Sequence, residues 1–399
     1  MKLFFGLFIY SGIAFSQNWM QISSFPGTER DDGVAVVIGT KAYVGSGLTA
    51  GWTFGADFYC YDMLSQSWSP VVSMPAGSER QYACAFKGGQ GFYVFGGDGN
   101  GGVLNTLFEY NIANSNWTQK TAKPGAGIYG ASCFEFGDTV IIAGGRFQGN
   151  SINNEVWMYR ISTDTWQQLN SLPAGLGGRW RAAYAVLQGK GYLLFGLDGN
   201  NAWRKELMEY DPRFDSWTKI MEVQTFPSLA YASMQGQGGK LLLFAGVDSL
   251  YNYSTACRYF ELSTYTWSQG PSLNAIPRRG GMSWTYNNSF FYSCGLDENE
   301  QRLKETWKLD LITSLNQERF ELIYQISPNP FTNAIAIDKG EDNPFRIEMW
   351  NLSGNLILEE SSDSEKRVIL NTAQVPTGFY ILKLFSGDRL VATKKLIKH

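Results

Sequence analysis

The chain predicts an all-β fold: a six-bladed β-propeller followed by a small C-terminal β-sandwich. Three observations carry this. Six tryptophans, Trp19, Trp68, Trp117, Trp166, Trp217 and Trp267, recur at steps of 49, 49, 49, 51 and 50 along the 399 residues. Units of that period cannot bury an apolar face alone and must stack. Within each unit lies a short β-rich run closed by glycine: "FYVFGG", "VIIAGG", "YLLFGL" and "LLLFAG" show it best. Beyond Leu309 the period stops and alternating strand-like segments take over.

Each element of the repeat has a counterpart in the next. Seven residues before a tryptophan stands an aromatic, Tyr61, Tyr110, Tyr159, Tyr210 or Phe260, and Leu309 takes that place in the last unit. The glycines closing the apolar runs are Gly47, Gly96, Gly144, Gly196, Gly246 and Gly295. Runs bounded by Gly, Asn and Asp read as strands separated by turns, and no helical period is sustained. Four short strands per unit, repeated radially, make propeller blades. After Leu309 the due tryptophan is replaced by Asn316, while Trp19 stands unmatched at the other end. The N-terminal strand is therefore expected to complete the sixth blade, which leaves no open edge in the ring.

The pattern resembles the kelch repeat, in which a diglycine follows an apolar strand and a spaced aromatic and a tryptophan come after it. The fullest copies are "YVFGGDGN…LFEYNIANSNWTQ" and "IIAGGRFQGN…VWMYRISTDTWQQ"; Leu197, Val247 and Leu296 replace the second glycine in later blades. The resemblance spans residues 18 to 310 and implies a six-bladed kelch-type β-propeller, with Trp and Tyr packing between blades.

Both ends carry addresses. Residues 1–16, "MKLFFGLFIYSGIAFS", have one lysine, an apolar run too short to span a bilayer, and small residues suited to cleavage. They read as an export signal, leaving no transmembrane segment in the mature chain. The propeller is assigned to 17–310 and a polar linker to 311–325. Residues 326–399 resemble the C-terminal sorting domain of the type IX secretion system of Bacteroidota. The match rests on "SPNPF" (Ser327, Pro328, Asn329, Pro330, Phe331), "NLSGN", "VPTGFYILKL" (with Pro376, Gly378 and Tyr380) and "KKLIK". It implies the type IX machinery as partner and a destination at the outer cell surface or in the medium.

Composition excludes several functions. Net charge is −3, and no basic cluster is dense enough for nucleic acid. The only histidine is His399, which removes His-based triads, His-ligated zinc and the copper site of kelch-like galactose oxidases. No phosphate-cradling glycine loop is present. The "DGN" turns at Asp98 and Asp198 lack the further carboxylates that calcium needs. No cofactor, metal or catalytic set is expected. The five cysteines, odd in number and unpaired in spacing, read as small buried residues.

One polar set recurs. Counting back seventeen from the blade glycine gives Arg30, Arg179 and Arg278, with Glu79 in the same column; counting back sixteen gives Arg80, Arg279 and Trp180. These positions are expected at the rim of the central channel, where a guanidinium can hold a carboxylate through paired, charge-assisted bonds. Each arginine has an alternative role, tied to a neighbouring carbonyl. Trp52, Trp180 and Trp203 fall outside the packing column and offer stacking surfaces. The expectation is an exported, non-enzymatic module that recognises an anionic protein or glycan ligand. The alternative is a sugar mutarotase resembling kelch-type N-acetylneuraminate epimerases, with Glu79 and the rim arginines as acid and base.

Overall fold

A computed structural model describes residues 18–311, 324–339, 345–351, 354–362, 367–386 and 389–399. The export signal expected at 1–16, and most of the connection expected at 311–325, lie outside the described residues. The chain divides into two compact units between Leu311 and Ile312.

In the first unit six four-stranded antiparallel sheets follow one another, each laid down from the inside outward. Their innermost strands are Val34–Ile38, Cys84–Gly88, Ser132–Phe136, Ala183–Leu187, Ser233–Gln237 and Met282–Tyr286. Each touches the next, and the last touches the first, so the ring closes. These sheets are blades 1 to 6. The sixth takes its outermost strand, Trp19–Ile22, from the chain's beginning: Trp19 lies opposite Leu309 and Ile22 opposite Thr306. N-terminal closure is thus as expected.

Burial explains the sequence pattern. The second strand of each blade is covered by neighbouring blades on both faces, so it reads as a continuous apolar run; Gly91–Phe95 is buried throughout. Outermost strands such as Ser67–Val71 are largely exposed, with Trp68 and Val71 part-buried. Between blades 1 and 2, Val34, Val36, Tyr43 and Phe58 meet Phe92 and Val94. The tryptophans add a directional tie. Trp68, Trp117 and Trp166 donate their indole N–H to the carbonyls of Ser23, Val72 and Thr121 on the preceding blade, at 2.8–2.9 Å. All five cysteines are buried and free.

The second unit is a two-sheet sandwich. One sheet orders Tyr324–Ser327, Ala334–Lys339 and Arg367–Asn371; the other orders Leu356–Ser362, Phe345–Asn351, Gly378–Ser386 and Arg389–Lys398. Phe331, Ile335, Ile337, Ile347, Met349 and Leu382 fill the space between them. The "SPNPF" segment is strapped to the last strand. Phe331 N–H donates to the Ile397 carbonyl at 2.8 Å, and Asn329 Oδ1 accepts the Ile397 N–H at 2.9 Å. Tyr380 is buried and donates its hydroxyl to the Pro376 carbonyl at 2.7 Å.

Candidate functional site

The blade glycines set the register of everything at one end of the channel. Gly47, Gly97, Gly145, Gly196, Gly246 and Gly295 all have φ between 81° and 110°. A Cβ on any of them would come within 3.0 Å of the carbonyl oxygen sixteen residues earlier, from Asp31 O at Gly47 to Arg279 O at Gly295. In blades 2 and 3 the matching glycine is therefore the second of the pair, Gly97 and Gly145, not Gly96 and Gly144. Columns counted from the first glycine are off by one residue there.

In the corrected register Arg30, Arg80, Arg179 and Arg278 share one column, and they do not converge on the mouth. All four are at most 1% exposed. Arg30 forks onto the Asp57 carboxylate at 2.7 and 2.8 Å and bonds the Ser46 carbonyl. Arg80 bonds the carbonyls of Ser78, Gly96 and Thr106. Arg179 ties the Glu206 carbonyl to its carboxylate, and Arg278 pairs with Glu305 at 3.0 Å. Burial pulls Arg80 and Arg179 down to about 10, which still leaves them charged near neutrality. These are struts within blades. Glu79 caps its own turn by accepting the Gly77 N–H.

The next two columns build the mouth. Asp32, Tyr82, Gly130, Arg181, Tyr231 and Gly280 all adopt φ between 53° and 66°. Each donates its backbone N–H to the carbonyl of its counterpart on the preceding blade, at 2.7–3.4 Å, and Asp32 to Gly280 closes a six-membered belt round the channel. Four of the six are not glycine, and the left-handed conformation costs such residues of the order of 1–2 kcal/mol each. The belt holds them there. Below it lies a cavity of about 330 Å³ lined by small residues such as Ala83, Ala131, Ala182 and Ala232.

Side chains on the belt and beside it form a ladder. The Arg146 and Arg181 guanidinium carbons lie 3.8 and 3.4 Å from the Trp180 ring centre. Those of Arg181 and Arg279 lie 3.8 and 3.9 Å from the Tyr231 ring centre. Two guanidinium groups that close to one ring cannot share a face without overlapping. The order is therefore Arg146, Trp180, Arg181, Tyr231, Arg279, curving across blades 3 to 6, with the two ring planes inclined by 62°. Desolvated contacts of this kind stabilise by up to about 2 kcal/mol each.

Charge along the ladder is unevenly balanced. Arg302 bonds Asp31 at 2.7 Å, and Arg279 stands 3.7 Å from both Asp31 and Asp32. Among the described residues Arg146 and Arg181 have no carboxylate at ion-pair distance; Arg146 bonds the Asn201 side chain and Arg181 the Tyr82 hydroxyl. Burial lowers the Arg181 pKa. At Arg279 burial acts the same way, but Asp32 and Tyr82 outweigh it and the pKa is raised. Asp32, buried and beside Asp31, is raised well above the usual carboxylate range despite Arg279 and Arg181. Buried atoms without a hydrogen-bond partner gather here: Arg146 Nε, Arg181 Nε, Arg279 Nη1, Trp180 Nε1, Asp32 Oδ2 and Gln81 Oε1.

Of the residues expected from sequence, Arg279 and Trp180 belong to the ladder. Arg146, Arg181, Tyr231, Asp31 and Asp32 were missed. The signal was present: counting back fifteen and sixteen from Gly47, Gly196 and Gly246 selects all of them but Arg146, which follows Gly145 directly.

A KLHDC2/KLHL20/DRC7 kelch-repeats domain profile matches residues 33–234 and 130–331. The chain belongs to the kelch-repeat family. In this kelch protein residues 325–399 also match the secretion system C-terminal sorting domain, so it is exported by type IX secretion to the cell surface or extracellular space. A solved structure titled "Structure of YjhT" superposes with a TM-score of 0.63 at 18% identity, covering 71% of this chain and 95% of that one. No curated protein matches the sequence. As 578 solved chains match, the fold alone does not select a function. Among the described residues there is no cluster of metal-ligating side chains and no helix long and apolar enough to cross a membrane.

Proposed function

We propose that this exported kelch protein is a binding module that holds an anionic ligand at the ladder end of its channel. One observation carries the reading: among the described residues the buried Arg146 and the partly buried Arg181 have no carboxylate at ion-pair distance, and the Nε of each is buried without a hydrogen-bond partner. An uncompensated buried charge is costly, and an incoming carboxylate would relieve it through charge-assisted bonds. Calorimetry against a panel of acidic sugars and acidic peptides tests this. Binding should weaken as salt rises, and Arg146→Ala or Arg181→Ala should cost about 1.5–3 kcal/mol each. Full affinity in both variants would sink the proposal.

A mutarotase is the second reading, and Asp32 favours it. Burial and the neighbouring Asp31 raise its pKa well above the usual carboxylate range, the direction a general acid needs, and its Oδ2 has no hydrogen-bond partner. Asp31 is engaged by Arg302 at 2.7 Å. Glu79, engaged with its own turn, does not take part. Anomer exchange of a sugar acid, followed by NMR line broadening, should be accelerated by wild type and not by Asp32→Asn.

A further inference from the structure

The loops around the ladder carry a second pattern. Five residues after each blade glycine the chain again turns left-handed: Trp52, Gly102, Asn150, Asn201, Tyr251 and Glu300 have φ between 58° and 94°. Gly and Asn tolerate this conformation, whereas bulky side chains are genuine outliers. On blades 3 and 4 the asparagines turn inward: Asn150 accepts the Tyr129 hydroxyl at 2.6 Å, and Asn201 accepts a bond from Arg146. The three bulky exceptions fall on neighbouring blades 5, 6 and 1. There Trp52 is 76% and Tyr251 77% exposed, and Glu300 is exposed as well. Packing therefore does not offset their backbone strain.

Both aromatic tips connect to Arg279. Its Nε donates to the Tyr253 hydroxyl at 3.2 Å, two residues from Tyr251. On the other side Arg279 faces Asp31, whose partner Arg302 lies 5.9 Å from the centre of the Trp52 ring. Trp52 and Tyr251 thus flank the Arg279 end of the ladder, one on each side of blade 6.

The geometry points to an acidic oligosaccharide as the ligand of this face, with Trp52 and Tyr251 as stacking platforms for sugar rings outboard of the residue on the ladder. This rests on the binding reading above and adds its chemical class and length. The ladder end also holds buried polar atoms without a hydrogen-bond partner, the Nε of Arg146 and Arg181, Trp180 Nε1 and Gln81 Oε1, so both donors and an acceptor stand there. A carboxylate alone only accepts; hydroxyls beside it both donate and accept. Exposed indole and phenol rings suit the apolar face of a pyranose. Backbone strain held at an exposed tip is the mark of a site kept for contact rather than for stability.

The test compares hexagalacturonate, galacturonate and a glutamate hexapeptide as probes for the full secreted chain, in wild type, Trp52→Asn and Tyr251→Asn. The hexamer should bind at least about 10-fold more tightly than the monomer. Each substitution should lower hexamer affinity by roughly 3- to 10-fold and leave monomer affinity unchanged. Melting temperatures should hold or rise by about 1–2 °C, since Asn relieves the strain. Equal affinity for hexamer and monomer, or hexamer binding indifferent to both substitutions, overturns the inference even when Arg181→Ala still abolishes binding. Preference for the glutamate peptide assigns the face to acidic protein segments and overturns it too. Anion binding that ignores Arg181→Ala instead refutes the ladder reading beneath it.

Discussion

The Trp19 indole N–H donates to the Pro271 carbonyl at 2.8 Å, joining residues 252 apart in sequence. Pro271 lies four residues beyond Trp267, just as Ser23, Val72 and Thr121 lie four beyond Trp19, Trp68 and Trp117. The junction between chain start and last blade is thus built like the junctions between consecutive blades. Trp19 also packs 4.5 Å from Phe244 and 5.7 Å from Phe290. Trp19→Ala should therefore destabilise the propeller as much as Trp68→Ala. We expect about 2–4 kcal/mol for each, below a fully buried aromatic because both indoles are part-exposed. Denaturant unfolding of the two variants checks this, and a wild-type midpoint for Trp19→Ala would remove the closing role.

Struts and ladder should separate under mutation. Arg179→Met leaves the carbonyls of Phe195 and Glu206 without their donor while Glu206 keeps only Arg204, so it should cost about 1.5–3 kcal/mol of stability. Ligand affinity of the molecules that remain folded should not change. Arg181→Ala, two residues on, should lose binding, with a fall in melting temperature limited because relief of a desolvated, part-bonded cation offsets its lost ring contacts. If Arg179→Met melts like wild type, the strut assignment is wrong.

This contrast marks how far the sequence could be read. Trp spacing exposed the blade count because every blade needs the same indole at the same seam. The strand pattern was legible because second strands are covered on both faces. The "SPNPF" and "KKLIK" motifs were visible separately, though not that Asn329 and Phe331 bind them together. The site was legible only by half. A diglycine leaves two choices of origin, and choosing Gly96 and Gly144 placed Arg80 beside Arg279, although one is a strut and the other lies on the ladder. Nor could a linear pattern show that Arg146, from the loop after Gly145, stacks on a tryptophan of the next blade.

Two carboxyl groups should give stability opposite pH dependences. Burial raises the Glu206 pKa, but its own backbone N–H, Arg179 and Arg204 bring it to a net lowering. Its contribution is present above the unfolded value near 4.5 and is lost as pH falls through the folded pKa. Glu206→Gln should flatten that acid limb. Asp32 is raised, so its contribution exists below the unfolded value of 3.8 and disappears as pH rises through the folded pKa. Asp32→Asn should consequently melt higher than wild type near neutrality and equal it in acid. Melting curves from pH ~3 to ~8 decide both signs.

The sorting domain offers the clearest separation of folding from transport. Phe331 is wholly buried, and its segment is held by the last strand through Asn329, Phe331 and His399, whose N–H donates to the Phe331 carbonyl at 3.0 Å. Phe331→Ala removes a core ring as well as the reason for that strap to dock, at a cost of about 3–5 kcal/mol. A small sandwich has little stability to spare, so the domain should lose its fold. The propeller forms a compact unit of its own up to Leu311 and should keep its melting temperature. If the type IX step reads the folded sorting domain, and inner-membrane passage needs only the expected signal at 1–16, the two steps come apart in this variant. Phe331→Ala should therefore accumulate in the periplasm with a native propeller, as should a chain lacking 326–399. Cell fractionation reads the outcome directly, and wild-type amounts of either variant outside the cell would show that export is addressed elsewhere in the chain.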